Sequence, residues 1–315
     1  MKLFYYQRPD QAPNFGDELN HWLWNKLAPN LFELGNGTYS AQDTVFVGTG
    51  TLLNDKLASR VQPANKMVIF GTGAGYERPL RAIPESWEIC CVRGPLSAKQ
   101  LGLPAEKAIA DGGLLISKFV TASTRPEGCS FMPHVHSAND AGESWERICE
   151  QAGIRYIDPR WPVDRVLTAI GNSERLLAEA MHGAISADAL RVPWIPITTT
   201  PRIYTFKWQD WCASMDLFYH PYRLPALKSY KRWGRGLRSG SVALKHWMEA
   251  ALEGAASTTY YELSGNEAVI AQRLTTIAKQ APLLSTEATF SRQCDRLQHS
   301  FNQVRSRYAM PVGVC

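Results

Sequence analysis

The segment Leu176–Pro196, LLAEAMHGAISADALRVPWIP, begins with a short apolar run and passes through Met181-His182-Gly183. It continues into the alanine-rich Ala184–Leu190 and reaches a second apolar run, Val192–Ile197. This is the pattern of strand, tight turn, helix and strand. Gly183 permits a sharp turn and a close backbone approach to a ligand. A helix starting at about Gly183 or Ala184 turns its unpaired N–H groups and positive dipole end outward, as a seat for an anion. His182 stands at the mouth of that seat, where an imidazole can donate hydrogen bonds or move a proton near neutral pH. The competing reading is a structural histidine satisfied inside the fold.

Working outward, the same unit recurs. Leu3–Tyr6 reads as a strand, followed by the loop Asn14-Phe15-Gly16-Asp17 and a helix with Leu19, Trp22, Leu23 and Leu27 at helical spacing. Asp17 is read as its N-cap, and Asn14 and Gly16 as ligand contacts of a strand-to-helix loop. Thr44–Val47 and Met67–Phe70 are buried strands ending in Gly48-Thr49-Gly50 and Gly71-Thr72-Gly73. Two glycine loops at strand ends imply that something comes close to the backbone at Gly50 and Gly73. Neither is a dinucleotide fingerprint, since Tyr76 falls where the third glycine belongs and no acidic residue follows at the right distance. Glu88–Val92 is a strand running into Arg93-Gly94-Pro95, where Pro95 opens a helix. Arg93 is placed to fork onto a carboxylate or phosphate, with an internal ion pair as the alternative. Lys107–Ala110 reads as a further strand.

The polar stretch 121–128, TASTRPEG, reads as a linker, after which the pattern restarts. Ser130–Met132 is a strand delivering His134-Val135-His136, a helix covers about Asn139–Ala152, Arg155–Ile157 is a strand, and a helix spans about Pro162–Gly171. Repeated short-turned units imply parallel sheets covered on both faces. His134-x-His136 lacks the third ligand of a metal set, so no metal is expected. Lys207, after the last strand, is placed near the sheet edge of His182 as a point charge for an anion.

The global numbers agree with an ordinary globular chain. Its 315 residues suit two domains, with 45% apolar and 20% charged residues. A net charge of +5 suits an anionic small molecule or membrane surface and does not call for nucleic acid. No apolar run of about 18 residues occurs, and Met1-Lys2 runs straight into LFYYQ, so neither a membrane span nor a secretory signal is expected. Seven scattered cysteines without a C-x-x-C pair fit a reducing cytosol. Between Tyr222 and Trp247 seven basic residues mix with aromatics and no acidic residue intervenes. That composition suits peripheral contact with an anionic membrane.

With these pieces collected, the chain resembles the polysaccharide pyruvyl transferase family, and within it the bacterial exopolysaccharide ketal-pyruvate transferases. The matching pieces are NFGDELN (14–20), VFVGTGTLL (45–53), IFGTGAG (69–75), VRGPLSAKQLGLP (92–104), DGGLL (111–115), MPHVH (132–136), EAMHGAISADALRVPW (179–194) and FKWQDW (206–211). The resemblance implies two Rossmann-like α/β domains in a glycosyltransferase-B-like arrangement, at 1–120 (acceptor) and 121–220 (donor); the remainder, 221–315, matches no family piece and reads from its own sequence as a helical C-terminal extension. The resemblance also implies phosphoenolpyruvate as donor, no cofactor, and a cyclic pyruvate ketal on a saccharide acceptor that is lipid-linked. The cysteine usage and the basic aromatic stretch give the expected location, the cytoplasm at the inner face of the membrane. The family's donor-binding histidine falls on His182, flanked by Met181 and Gly183, with Arg93 and Lys207 as the donor's cations. Asp17 or His134 is then the base for the acceptor hydroxyl. Some members carry Arg-Leu-His or Ser-Leu-His where this chain has Ala180-Met181-His182; Arg175, Arg191 and Arg202 are the candidates to replace that arginine. Two rivals stay open: a nucleotide-sugar glycosyltransferase, and a non-catalytic polysaccharide-assembly protein docking through 222–247.

Overall fold

The computed structural model describes residues 1–35, 37–200, 203–225 and 266–309. They gather into two compact units. The first draws on Met1–Phe119, Phe206–Phe218 and Ser285–Cys315, the second on Val120–Thr205 and Tyr219–Leu284, counting the described residues of each.

The first unit is built on a parallel sheet of β1 (Lys2–Phe4), β2 (Glu33–Leu34), β3 (Thr44–Val47), β5 (Lys66–Phe70) and β7 (Trp87–Cys91), in the order β2-β1-β3-β5-β7. Leu3 lies beside Phe46, and Val45 beside Met67. The central strands are buried on both faces, as parallel strands between helical layers must be. On one face Val45, Val47, Met67 and Ile69 pack with Leu57 of α2 (Leu57–Arg60) and Ala98 of α3 (Pro95–Gln100). On the other, Trp24 of α1 (Phe15–Leu27) lies edge-on to Phe46 and Phe70.

The chain's last described helix belongs to that same core. Residues Glu287–Tyr308 form a 22-residue helix, here α10, and its Phe301 stacks on Trp24 at 5.6 Å and meets Phe70 edge-on. Far from lying apart as an extension, this end of the chain closes one face of the first sheet. Leu297, Phe301 and Val304 are fully buried there. The seven-residue spacing from Leu297 to Val304, with Phe301 between them, is a helical stripe set among polar residues.

The second unit repeats the plan with β8 (Cys129–Met132), β9 (Arg155–Tyr156), β10 (Arg175–Ala178), β11 (Trp194–Thr198) and β12 (Tyr222–Arg223), all parallel, in the order β12-β11-β10-β8-β9. Here α5 (Ser144–Ala152) and α9 (Glu267–Ile277) cover one face through Trp145, Ile148, Ile270 and Leu274. The remaining helices are α4 (Val135–Ala141), α6 (Val163–Gly171) and α7 (Met181–Ala189).

Several local expectations change. The helix expected over Asn139–Ala152 is two, α4 and α5, parted by Gly142 at φ 52°. His134 and His136 stand at a helix start, with His134 as N-cap, and not on a strand. Lys107–Ala110 is a 3₁₀ turn over Ala105–Lys107 plus an isolated bridge from Ala108 to Val92. Helix α1 starts two residues before Asp17, and Asn14 takes the N-cap position. Of the basic stretch 222–247, Tyr222–Pro225 is described and the rest lies outside the described residues, as does Arg202.

One tie in the first unit is a fully buried ion pair. After β11 the chain enters α8 (Thr205–Ser214), whose Asp210 accepts from Arg93 Nε at 3.0 Å, with both side chains fully inaccessible. Asp210 also accepts from the backbone N–H of Ser97 at 2.9 Å and from its hydroxyl at 2.5 Å. Removing one partner of such a pair leaves a charge buried without compensation. Asp210→Ala is therefore expected to lower the unfolding free energy by about 3–5 kcal/mol, read from the shift of the urea midpoint. A loss under about 1 kcal/mol would show that the pair does not hold α8 in place.

Candidate functional site

In an open parallel sheet, ligands bind outside the carboxyl ends of the strands where the strand order reverses. In the second unit the reversal lies between β8 and β10, since the chain goes from β8 outward to β9 and returns to β10 on the other side. The loops leaving those two strands carry Pro133-His134 and Glu179-Ala180-Met181-His182. Both candidate histidines of the sequence thus sit at one switch point.

Helix α7 starts at Met181, two residues earlier than the sequence suggests, so His182 lies in the first turn rather than before it. The residue is partly buried, with its ring Nε2 closed to solvent, and its carbonyl accepts from Ser186 Oγ at 2.7 Å. All the other residues of α7 are buried, in keeping with a helix held between layers. Gly183 is helical, and a methyl group there would fall 2.7 Å from Met132 Sδ. The glycine's close approach is to β8, not to a turn or ligand. Met181 is also packed away, at 3% exposure, so it offers a ligand its backbone N–H and little else.

The sequence reading passed over Glu179, which organises this corner. Its carboxylate is fully buried and receives the backbone N–H of His134 at 2.9 Å and that of Thr199 at 2.8 Å, together with the Thr199 hydroxyl. Thr199 Oγ1 lies 3.2 Å from Ser137 Oγ. One side chain thereby fixes the loops after β8, β10 and β11. Burial pushes the Glu179 carboxyl above its ordinary range, opposed by the bonds from Thr199, His134 and Ser137. His134 Nδ1 accepts from the backbone N–H of His136 at 3.3 Å, which puts the neutral ring's proton on Nε2.

The other cations proposed for this region are engaged locally. Arg175 donates to the carbonyl of Ala278 at 2.7 Å, and Arg191 pairs with Asp188 at 3.5 Å. Asp188 is fully buried and accepts from Trp194 Nε1 at 3.1 Å.

In the first unit the order reverses between β1 and β3, and the loops there are Asn14–Asp17 and Gly48–Gly50. Asn14 Nδ2 donates to Asp17 at 2.8 Å, and both are half-buried, whereas Gly16 is buried. Asn20 donates to the carbonyl of Thr49 at 3.3 Å and accepts from Trp24 Nε1 at 3.0 Å.

The close approach foreseen at the glycine loops is made by the protein itself. A side chain at Gly48 would collide with Trp24, and one at Gly73 with the Arg93 guanidinium. Gly50, at φ 131°, needs its glycine for backbone freedom. The two loops also pair with each other, through a short parallel ladder of β4 (Thr51–Leu53) and β6 (Gly73–Ala74). Arg93 meets a carboxylate, that of Asp210, while its Nη1 donates to the Gly50 carbonyl at 3.1 Å and Thr51 Oγ1 at 2.8 Å. Lys207 lies in the first unit and not on the sheet edge that carries His182. Its Nζ donates to the Tyr76 hydroxyl at 2.8 Å, and it is 7% exposed.

Among the described residues, no cluster of three or more His, Cys, Asp or Glu could hold a metal ion. Burial pushes the thiols of Cys91 and Cys149 up to about 12 and that of Cys129 to about 11, so these are not thiolates at neutral pH. No described helix is long and apolar enough to cross a membrane. The chemistry on display is that of imidazoles, carboxylates and helix N-termini at the carboxyl edges of parallel sheets.

The family model described as "Polysaccharide pyruvyl transferase" matches residues 3–201. The chain belongs to the polysaccharide pyruvyl transferase family. The match takes in both switch points, from β1 to the end of β11. Among its relatives is the succinoglycan biosynthesis protein ExoV of Rhizobium meliloti (strain 1021), 37% identical over 244 residues, covering 74% of this chain and 73% of that one. As a pyruvyl transferase family member the protein is a transferase, and its α/β units with parallel sheets are Rossmann-like.

The buried carboxyl has a pH signature. In the folded chain burial holds it above the ordinary glutamate value of 4.5. The stabilising contribution is therefore present below about pH 4.5, declines as pH rises toward the folded value, and is gone above it. Urea unfolding from pH 4 to 8 is expected to carry this declining component in the wild type and to lack it in Glu179→Gln. Identical pH slopes in the two proteins would show that Glu179 titrates alike in the folded and unfolded chains.

Proposed function

We propose that the protein transfers pyruvate from phosphoenolpyruvate to a sugar of an exopolysaccharide repeat unit, forming a cyclic ketal and releasing phosphate. The observation that carries this reading is His182 in the first turn of α7, at the switch point it shares with His134. That position couples a titratable donor to a helix N-terminus. Phosphoenolpyruvate, with a phosphate and a carboxylate on three carbons, needs such a seat more than it needs a metal.

The reaction balances with the groups at hand. The methylene carbon of the donor gains a proton and C2 takes a first sugar hydroxyl, whose proton goes to a base. Phosphate then leaves C2, and a second hydroxyl closes the ring with loss of its proton. His182 supplies the proton or contacts the departing phosphate. His134, whose Nδ1 acceptor role leaves Nε2 to exchange a proton, or Asp17 serves as base. Glu179 positions both loops without touching substrate. Lys207 supplies positive charge to the donor, and Arg93 keeps the glycine loops of the first unit in shape. The two units work across a cleft in a glycosyltransferase-B-like arrangement. The acceptor is lipid-linked, and the basic aromatic stretch 222–247 brings the enzyme to an anionic membrane surface.

A nucleotide-sugar glycosyltransferase fits less well. Such enzymes hold the donor ribose with a carboxylate on the helix equivalent to α7, whereas the carboxylate of α7 is Asp188, fully buried against Trp194. His182→Ala is expected to reduce phosphate release from phosphoenolpyruvate, with acceptor present, by roughly 10²–10⁴-fold. The same assay with proton NMR of the product would detect the ketal methyl group. An unimpaired rate in the variant would remove His182 from the mechanism.

A further inference from the structure

A cavity of about 230 Å³ opens in the first unit at the carboxyl end of β1. Its walls are Tyr5, Tyr6 and Gln7, just past the strand, with Leu34 of β2, Tyr39, and Arg60 at the end of α2. Three tyrosines and one guanidinium around so small a hollow are not what a solvated loop requires. Tyr5 is 8% exposed and forms part of the floor, while Tyr6 stands open at 36%. The Arg60 guanidinium lies 5.6 Å from the Tyr6 ring centroid, a cation–π contact that steadies the exposed ring. Tyr39 is fixed by its fit over Gly35, where a methyl group would fall 2.5 Å from the hydroxyl.

The chemistry of the walls selects the ligand. A pyranose offers an apolar C–H face to an aromatic ring and a rim of hydroxyls to amide, phenol and guanidinium groups, and Tyr6, Gln7 and Arg60 present that combination. The hollow is smaller than the roughly 300–1,000 Å³ of pockets that enclose drug-sized ligands, so it takes one ring and leaves the remainder in solvent.

We infer that this cavity is a saccharide subsite, holding one pyranose of the acceptor against Tyr6 and Arg60. The inference rests on the proposed function for the identity of the saccharide as acceptor, and on the cavity alone for its binding. The test uses the full chain and saturation-transfer NMR with methyl glycosides of glucose, galactose and mannose, and phosphoenolpyruvate thermal shifts in the same samples. Ring C–H signals of at least one glycoside are expected in the wild type, reduced at least five-fold in Tyr6→Ala and in Arg60→Ala, and retained in Tyr6→Trp. Near-UV circular dichroism checks that the exposed-site variants stay folded. No transfer from any glycoside, or undiminished transfer in Tyr6→Ala and Arg60→Ala, would overturn the subsite. Glycoside signals that follow this pattern without any phosphoenolpyruvate shift would uphold the cavity and count against the donor assignment instead.

Discussion

The Arg93–Asp210 pair joins residues 117 apart in sequence and is closed to solvent on both sides. A guanidinium so placed is tolerable only with its partner and with further acceptors, here the Gly50 carbonyl and the Thr51 hydroxyl. Much of the first unit follows from that requirement. Helix α8 must return to the first sheet after the chain has built most of the second. Gly94 must lack a side chain because Asp210 occupies its space, and Gly73 because the guanidinium does. The glycine loops are thus an internally braced rim, and their composition answers to Trp24 and Arg93 before it answers to any ligand.

The second unit meets a similar demand with a single carboxylate. Glu179, just past β10, collects two backbone N–H groups and a hydroxyl from the loops that leave β8 and β11. Buried and hydrogen-bonded, it converts three separate loop ends into one frame on which His134 and His182 stand. The two units therefore share a principle. Buried carboxyl groups lock the loops, and Asp17 in one unit, and His134 and His182 in the other, stay only partly buried beside them.

The candidate site was partly legible because its histidines lie in local patterns. An apolar run followed by a polar turn and a small-residue helix marks a strand's carboxyl end, and both His134 and His182 follow such runs. Glu179 and Asp210 were not legible in that way. Each sits inside an ordinary stretch, EAMHG or KWQDW, and acquires its role from partners that other strands bring to it. A signal existed for Asp210, since an acidic residue between two tryptophans that both become fully buried needs a cation. Which cation, among the chain's 34 lysines and arginines, no local pattern names.

What the sequence by itself determined is the repeating strand–loop–helix grammar, the parallel sheets it entails, and which residues fall at strand ends. These follow from hydrophobic period, turn chemistry and proline or glycine placement, all of them local. Tertiary structure alone decided the strand order that puts two histidine loops side by side. It also decided the membership of α10 in the first core and the conversion of Arg93 from a presumed ligand contact into half of a buried pair. Those outcomes depend on which distant segments share a sheet face, and the free energy of desolvating a charge or stacking Phe301 on Trp24 exists only once they meet.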